Sequence, residues 1–135
     1  MRHFTPEEAI AALPVVRPLV ERLVATRRDQ RAARQGLDPA RRAVPTNGGG
    51  VHPATANDLR DRSGAATASL GQIVDEITGL GVQVKDLDIG LVDFPAIHPA
   101  TGETVLLCWR LGEETITHWH GLDEGFAGRK PLPFA

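Results

Sequence analysis

The sequence has a single cysteine, Cys108, in a chain of 135 residues. One thiol cannot build an internal disulfide framework, so we expect a cytoplasmic protein rather than a disulfide-stabilised secreted one. No apolar run approaches the ~18–20 residues that a membrane span needs, and no basic-then-apolar leader opens the chain. We therefore expect neither a membrane segment nor a secretory signal. The length suits one domain, residues 1–135.

The chain also has little net charge, a formal -2 with a pI near 6.2. This balance argues against nucleic acid as a partner, and the one arginine-rich stretch, residues 27–42, has no interleaved aromatic residues. The charge is nevertheless uneven. Residues 1–42 carry nine arginines and five acids, whereas residues 86–124 carry eight acids and one arginine. Such segments can attract each other within one subunit or between two, or remain two solvated faces.

A helix is predicted to begin at Pro6. Thr5 and Glu8 form a capping box, in which each side chain accepts the other residue's backbone N–H. Pro6 lies at the first helical position, where the missing N–H has no intrahelical partner to lose. Pro14 and Pro18 each remove a helical hydrogen bond, so we expect a short first helix that kinks or restarts near Pro14. Apolar residues at helical spacing then continue the pattern through Val15, Leu19, Val20, Leu23 and Val24.

Gly36 predicts the end of this helical region. Residues 36–56 contain three prolines and a glycine run, which predicts a flexible loop. No Lys-Ser/Thr pair follows the glycines, so the run is not a phosphate-binding loop. Asn57 or Asp58 is expected to cap a second helix that reaches about Thr78. Small residues in its middle allow close approach of another helix, which predicts an antiparallel helical hairpin.

After Gly81 the apolar residues alternate over residues 82–85 and 91–94, which predicts that this part of the chain forms β-strands. The predicted strands are Val82–Lys85, Leu91–Phe94, Thr104–Arg110 and Thr115–His120. A tight turn at Gly112 and Glu113 joins the last two, and residues 121–135 are predicted to be coil. The fold class is therefore α+β: an antiparallel helical hairpin, its first helix kinked at Pro14, packed on a small antiparallel β-sheet with a C-terminal coil.

Reactive side chains concentrate on the last two predicted strands. His118 and His120 are two positions apart, so both imidazoles project from one face of a strand and can share a metal ion. Asp123 can add a carboxylate after the turn at Gly121. Two imidazoles and a carboxylate suit iron(II), whereas a thiolate from Cys108 favours zinc. A structural alternative is a polar and aromatic face that packs on the tail.

The register of the two strands decides whether Cys108 joins the histidines. A two-residue loop pairs Cys108 with Thr117 and turns the thiol away from His118. A three-residue loop instead pairs Cys108 with His118, so one residue of register separates the alternatives. A buried cysteine is usually inert, and no base is fixed beside Cys108 by a motif, so a nucleophilic role is the least favoured one.

A second polar cluster consists of Asp86, Asp88 and Asp93, three carboxylates within eight positions. Oxygen-rich spacing is typical of Ca²⁺ or Mg²⁺ sites, but the segment lacks the glycine and the terminal glutamate of a twelve-residue calcium loop. Alternation places Asp86 and Asp88 on one face, where Arg110, Arg129 or Arg22 can pair with them. We therefore favour structural ion pairs for this cluster.

Several segments together resemble a known family. They are Phe4–Ala9, Val84–Asp88, Gly90–Ala96, Cys108–Glu113, His118–His120 and Gly125–Arg129. In these segments the chain is similar to domain-of-unknown-function family 2203, a bacterial family. The resemblance spans nearly the whole chain except the loop at 36–56. It implies a small bacterial, cytoplasmic protein and carries over no activity.

Two functions of different classes follow from the residues. The first is a metal- or small-ligand-binding module on the C-terminal hairpin, with iron or zinc as the expected metal. Its expected metal ligands are His118, His120 and Asp123, with Cys108 as a possible fourth. Residues expected to contact a small ligand are Trp109, Arg110 and Trp119. The second function is a non-catalytic interaction protein, which we expect to be a homodimer. An enzyme using Cys108 or the metal ranks third.

Overall fold

Two long helices and five short strands make up the part of the chain that the structure, a computed structural model, describes: residues 1–37 and 53–134. The helices are α1 (Pro6–Leu37) and α2 (Pro53–Gly79). The strands are β1 (Gln83–Asp86), β2 (Leu91–Ile97), β3 (Thr104–Arg110), β4 (His118–Gly121) and β5 (Lys130–Pro131). The predicted α+β class is confirmed.

The two helices form the predicted antiparallel hairpin. Gly36 near the end of α1 lies against the side chain of Leu59 near the start of α2. Further back along α1, the Gln30 side-chain amide donates to the Thr67 hydroxyl at 2.8 Å. Contacts thus move towards the end of α2 as they move towards the start of α1, which is the antiparallel arrangement.

The predicted capping box is present at the start of α1. The backbone N–H of Glu8 donates to Thr5 Oγ1 at 3.1 Å, and the backbone N–H of Thr5 donates to Glu8 Oε1 at 3.0 Å. Two N–H groups that the helix itself leaves without partners are thereby satisfied. Phe4, just before the cap, is buried in the core, and its ring lies edge-on to the ring of Phe94.

Helix α1 continues through both of its internal prolines, Pro14 and Pro18. The expected short helix with a restart near Pro14 is therefore wrong, and a kink at Pro14 stays a prediction. The physical reason for the continuity is packing. Leu13 and Val16 are buried beside Pro14, and the apolar stripe goes on to Val20. Burial of such side chains gives about 1.5–3 kcal/mol each, enough to offset the ~3 kcal/mol that an internal proline costs.

The predicted loop at 36–56 falls mainly on residues 38–52, which lie outside the described residues. The boundaries at its two ends differ from the prediction. Helix α1 extends through Gly36 to Leu37, and α2 begins at Pro53 rather than after a cap at Asn57 or Asp58. Proline is favoured at a first helical position because no N–H is needed there.

The five strands form one antiparallel sheet in the order β1-β2-β3-β4-β5. Each strand therefore pairs with its neighbour in sequence. One face of the sheet, called the inner face, packs on the two helices and forms one apolar core with them. The inner-face residues of that core include Val92, Phe94, Val105, Leu107 and Trp109. Because side chains alternate along a strand, the residues between them point to the opposite, outer face.

The tail is not all coil, which corrects the prediction for residues 121–135. A single 3₁₀ turn, Phe126–Gly128, leads into β5, which pairs with β4 through His118 opposite Pro131 and Trp119 opposite Lys130. Prolines and glycines in the tail predict coil, but β4 would otherwise leave a row of backbone groups unpaired at the sheet edge. A proline is tolerated in β5 because an edge strand needs hydrogen bonds on one side only.

Part of the charge asymmetry is neutralised within the chain. Asp88, in the turn between β1 and β2, accepts from Arg27 Nε at 3.0 Å and lies 3.2 Å from Arg31 Nη1. Arg27 holds the pKa of Asp88 below its usual value, with a smaller contribution from Arg31. The structural ion pairing expected for this segment therefore occurs at Asp88, but with Arg27 and Arg31 rather than with Arg22, Arg110 or Arg129.

Within residues 1–37 and 53–134, neither helix combines the length and the apolar character needed to cross a lipid bilayer.

Candidate functional site

Three neighbouring strands place one polar side chain each at the same point of the outer face. Asp93 on β2 lies directly opposite Cys108 on β3. Two positions before Cys108 on the same strand, Leu106 lies opposite His120 on β4. Asp93, Cys108 and His120 are here called the outer-face cluster. One candidate ligand atom from each of them lies within 4.8 Å of the other two.

The strand register answers the question that the sequence left open. Cys108 pairs with His118, which is the alignment expected of the three-residue loop. The connection itself is longer than either alternative, since β3 ends at Arg110 and β4 begins at His118. Glu113 stabilises this connection by accepting the backbone N–H of Arg110 at 2.8 Å and, through its carbonyl, the indole N–H of Trp109 at 3.1 Å.

The hydrogen bonds of His120 fix which ring nitrogen carries a proton. Nδ1 lies 2.8 Å from the carbonyl oxygen of Gly121, and a carbonyl can only accept, so Nδ1 is protonated and donates. Nε2 faces the carboxylate of Asp93 and lies 3.2 Å from each of its two oxygens. In a neutral imidazole this arrangement leaves the Nε2 lone pair directed at Asp93. A backbone carbonyl holding the other nitrogen is the usual orientation of a metal-binding histidine.

All three cluster residues are buried: Cys108 is 0% exposed, Asp93 1% and His120 4%. Burial raises the pKa of the Asp93 carboxyl, and the nearby His120 and Lys85 counteract that effect only in part. Burial, reinforced by the negative charge of Asp93, raises the pKa of the Cys108 thiol to about 12. The metal-free thiol is therefore protonated near neutral pH, which counts against a nucleophilic cysteine.

The segment that follows β4 lies beside the cluster. A cavity of about 190 Å³ is bordered by Asp93 and His120 on one side and by Leu122 and Phe126 on the other. Arg129 stacks on the Phe126 ring and pairs with Glu113 at 2.8 Å. Its positive charge opposes the upward shift in the pKa of Cys108. Among the described residues, the buried Nε of Arg129 has no acceptor.

The donor set fits a transition-metal ion. One imidazole, one carboxylate and one thiol correspond to ligand types that bind zinc, at ~2.0–2.3 Å in a tetrahedral arrangement. Those bond lengths place neighbouring donor atoms about 3.3–3.6 Å apart. The 3.2 Å between His120 Nε2 and the Asp93 oxygens is close to that spacing. Three protein ligands leave one coordination position for water or another ligand.

A family model for uncharacterized conserved proteins, DUF2203, matches residues 2–132 of the chain. The chain belongs to the DUF2203 family. Neither a curated protein nor a solved structure matches it. The resemblance seen in the sequence is thus confirmed for the family, and the DUF2203 match itself brings no reaction or ligand.

The outer-face cluster of this DUF2203 chain contains two of the four predicted metal ligands, His120 and Cys108. His118 is half-buried, and its Nδ1 shares a hydrogen bond with the Thr117 hydroxyl at 2.8 Å. Asp123 is exposed in the turn after β4. Within the described residues, neither His118 nor Asp123 is part of a metal-ligand group, and the carboxylate of the cluster comes from Asp93 instead.

In the sequence, Asp93 groups with Asp86 and Asp88 rather than with the histidines. A local signal was available. Asp93 lies in the middle of an apolar strand between Val92 and Phe94, where an ionisable group is expected to have a partner. Its partner is 27 positions away in sequence, and only the register of three strands brings the two together.

The residues expected to contact a small ligand are separated in the DUF2203 fold. Trp109 is fully buried on the inner face and belongs to the core. Trp119, also on the inner face, packs edge-on against His98 and beside Phe134. Arg110 is exposed at the end of β3. These three residues therefore do not surround one pocket with the cluster.

Proposed function

We propose that the protein is a metal-binding module that holds one divalent transition-metal ion at Asp93, Cys108 and His120. Zinc is the favoured ion, because a thiolate beside an imidazole and a carboxylate suits zinc better than iron(II). The observation that carries the proposal is the convergence of three buried ligand atoms within 4.8 Å on three strands. The hydrogen bond from His120 Nδ1 to the Gly121 carbonyl supports it, since Nε2 is left as the ligand atom.

Burial of these groups without an ion is unfavourable, which supports the same proposal. A carboxylate that loses its water must be compensated by partners, and His120 contributes one only when Nε2 is protonated. A divalent ion would compensate Asp93 and the thiolate of Cys108 together. A metal ion can displace the proton of the Cys108 thiol although burial raises its pKa to about 12. The cost of removing that proton lowers the affinity for the metal. A thiolate ligand also fits a reducing compartment, so we propose a cytoplasmic location.

Elemental analysis of the protein purified without a histidine tag tests the proposal. We expect about one equivalent of zinc, and less than about a tenth of that in His120→Ala and in Cys108→Ala. His118→Ala and Asp123→Asn are matched controls, because both change a predicted ligand that lies outside the cluster. Equal metal content in His120→Ala and His118→Ala would contradict the proposal.

Homodimerisation is the second candidate function. Internal pairing of Arg27 and Arg31 with Asp88 accounts for part of the charge asymmetry that first suggested a dimer. Ile10 and Val15 on α1 are 41% and 57% exposed, and burial of either side chain against a second copy would be favourable. Light scattering at tens of micromolar should then give twice the 14.5 kDa mass of the chain. A monomer at that concentration removes this candidate and leaves the metal proposal untouched.

A further inference from the structure

The cavity beside the outer-face cluster gives access to the proposed metal. It has a volume of about 190 Å³ and is bordered by Asp93 and His120, two of the three proposed ligands. Leu122 and Lys85, which also border it, are both exposed, so the cavity meets solvent on their side. A tetrahedral ion with three protein ligands keeps one position for an added ligand. The cavity is where such a ligand would reach the ion.

Charge in and around this cavity favours an anion. An ion of charge +2 balances the negative charges of Asp93 and a Cys108 thiolate. Glu124 also borders the cavity, but it forms an ion pair with Lys130. Lys85, in contrast, has no ion pair among the described residues, and its charge acts on Asp93. One positive charge is thus left over at the cavity.

Lys85 lies at an irregularity in β1. Val84 pairs with Val92 and Asp86 pairs with Leu91, so Lys85 is an extra residue in a β-bulge. Bulges redirect a side chain and often lie next to functional sites. Here the bulged residue is the only lysine outside the tail, and it borders the cavity.

The remaining walls are apolar. They come from Leu91, Leu106, Leu122 and Phe126. A ligand with a charged end and a short hydrocarbon part matches this combination of a lysine, a metal position and apolar walls. The volume is about six times that of one water molecule, which limits the ligand to a few heavy atoms.

We propose that the metal ion and Lys85 together bind a small aliphatic carboxylate, with one carboxylate oxygen on the ion, the other near Lys85, and the alkyl part against the leucines. The inference rests on the proposed metal site. It deepens that site by naming the chemical class of its exchangeable ligand.

The test uses the full-length protein loaded with cobalt(II) in place of zinc, and sodium butyrate as the probe. Cobalt binding is measured first, from stoichiometry and the thiolate-to-cobalt absorption. Butyrate should then change the visible cobalt spectrum with saturation. At the same concentration and ionic strength, butylammonium chloride should leave the spectrum unchanged.

Variants at two cations separate Lys85 from general charge effects. Lys85→Met should weaken butyrate binding about ten-fold, and Lys85→Arg should retain most of it. Arg110→Met is the matched control, because Arg110 is an exposed cation that does not border the cavity. It should bind butyrate like the unchanged protein.

Each failure has a separate meaning. Cobalt bound at about one equivalent with no saturable response to butyrate overturns this inference and leaves the metal proposal standing. Equal butyrate affinity in Lys85→Met and the unchanged protein overturns the role of Lys85, and with it the proposed carboxylate site. Failure to bind cobalt at the cluster overturns both proposals.

Discussion

His120 uses its two ring nitrogens for different purposes. Nδ1 donates to the adjacent main chain, and Nε2 is turned towards Asp93 across two strands. A buried imidazole has two polar nitrogens that need partners, and His120 has a partner for each. The second nitrogen, directed at a buried carboxylate with a thiol alongside, distinguishes this residue from the half-buried His118 on the same strand.

Asp93→Asn is predicted to separate metal binding from stability. Burial raises the pKa of Asp93 above its ordinary 3.8. A carboxyl with a raised folded-state pKa destabilises the fold once it ionises, so the penalty appears as the pH rises through and above 3.8. At pH 7 and with chelator present, Asp93→Asn should be as stable as the unchanged protein or about 1 kcal/mol more stable, while binding no metal.

Urea unfolding at pH 7 and at pH 4 measures this difference. The advantage of Asp93→Asn should shrink towards pH 4, because Asp93 then approaches its protonated form in both states. If the metal-free Asp93→Asn variant is less stable than the unchanged protein at pH 7, Asp93 is instead a purely structural residue.

Cys108 is predicted to be unreactive in the metal-free native protein. Its thiol is fully buried, and burial raises its pKa to about 12. Only the thiolate reacts, so an aromatic disulfide reagent at pH 8 should label the native chain at least about 1,000-fold more slowly than the urea-unfolded chain. Labelling within seconds without denaturant would show that the thiol is accessible and ionised.

At the scale of elements, local sequence patterns predict those helix ends and strands that depend on interactions between residues close in sequence. Thr5 and Glu8 form the expected cap, because the two partners of a capping box are only three positions apart in sequence. Strand β2 begins with the alternating residues Leu91–Phe94, and β3 has the bounds predicted for it, Thr104–Arg110. The continuity of α1 through Pro14 and the pairing of β5 with β4 depend on distant residues, namely the core under α1 and the open edge of β4. Sequence alone therefore predicts both of them incorrectly.

The capping box gives a quantitative test at this scale. Thr5→Ala removes the acceptor for the Glu8 N–H and should lower the free energy of unfolding by about 1 kcal/mol. Thr78→Ala is a matched control, because Thr78 is exposed near the end of α2, and alanine is the better helix former there. It should be neutral or slightly stabilising in the same urea titration. Equal losses in the two variants would exclude a specific contribution of the cap.

At the scale of the molecule, the sheet separates two kinds of chemistry. The inner face contributes apolar side chains to the core with the helices, and the outer face carries the Asp93, Cys108 and His120 cluster. Composition and periodicity predict the core well, because apolar residues recur at regular spacing along the helices and strands that form it. They predict the cluster only in part, because Asp93 and His120 meet through strand register that no local pattern encodes.

Because the three proposed ligands lie on three strands, metal binding should stabilise the folded chain as a whole. An ion that binds only the folded chain at about 100 times its Kd adds about 2.7 kcal/mol. For a chain of this size that corresponds to roughly 10 °C in Tm. Calorimetry with and without zinc should show this shift in the unchanged protein and in His118→Ala, and no shift in Cys108→Ala. A similar shift in all three proteins would place the zinc elsewhere.

X-ray absorption at the zinc edge tests the central claim most directly, because it reports the atoms bound to the ion. The account predicts one sulfur at about 2.3 Å and the remaining nitrogen or oxygen ligands at about 2.0 Å in the untagged protein, with the sulfur absent in Cys108→Ser. A shell made only of nitrogen and oxygen, or one that is unchanged in Cys108→Ser, would contradict a metal site at Asp93, Cys108 and His120.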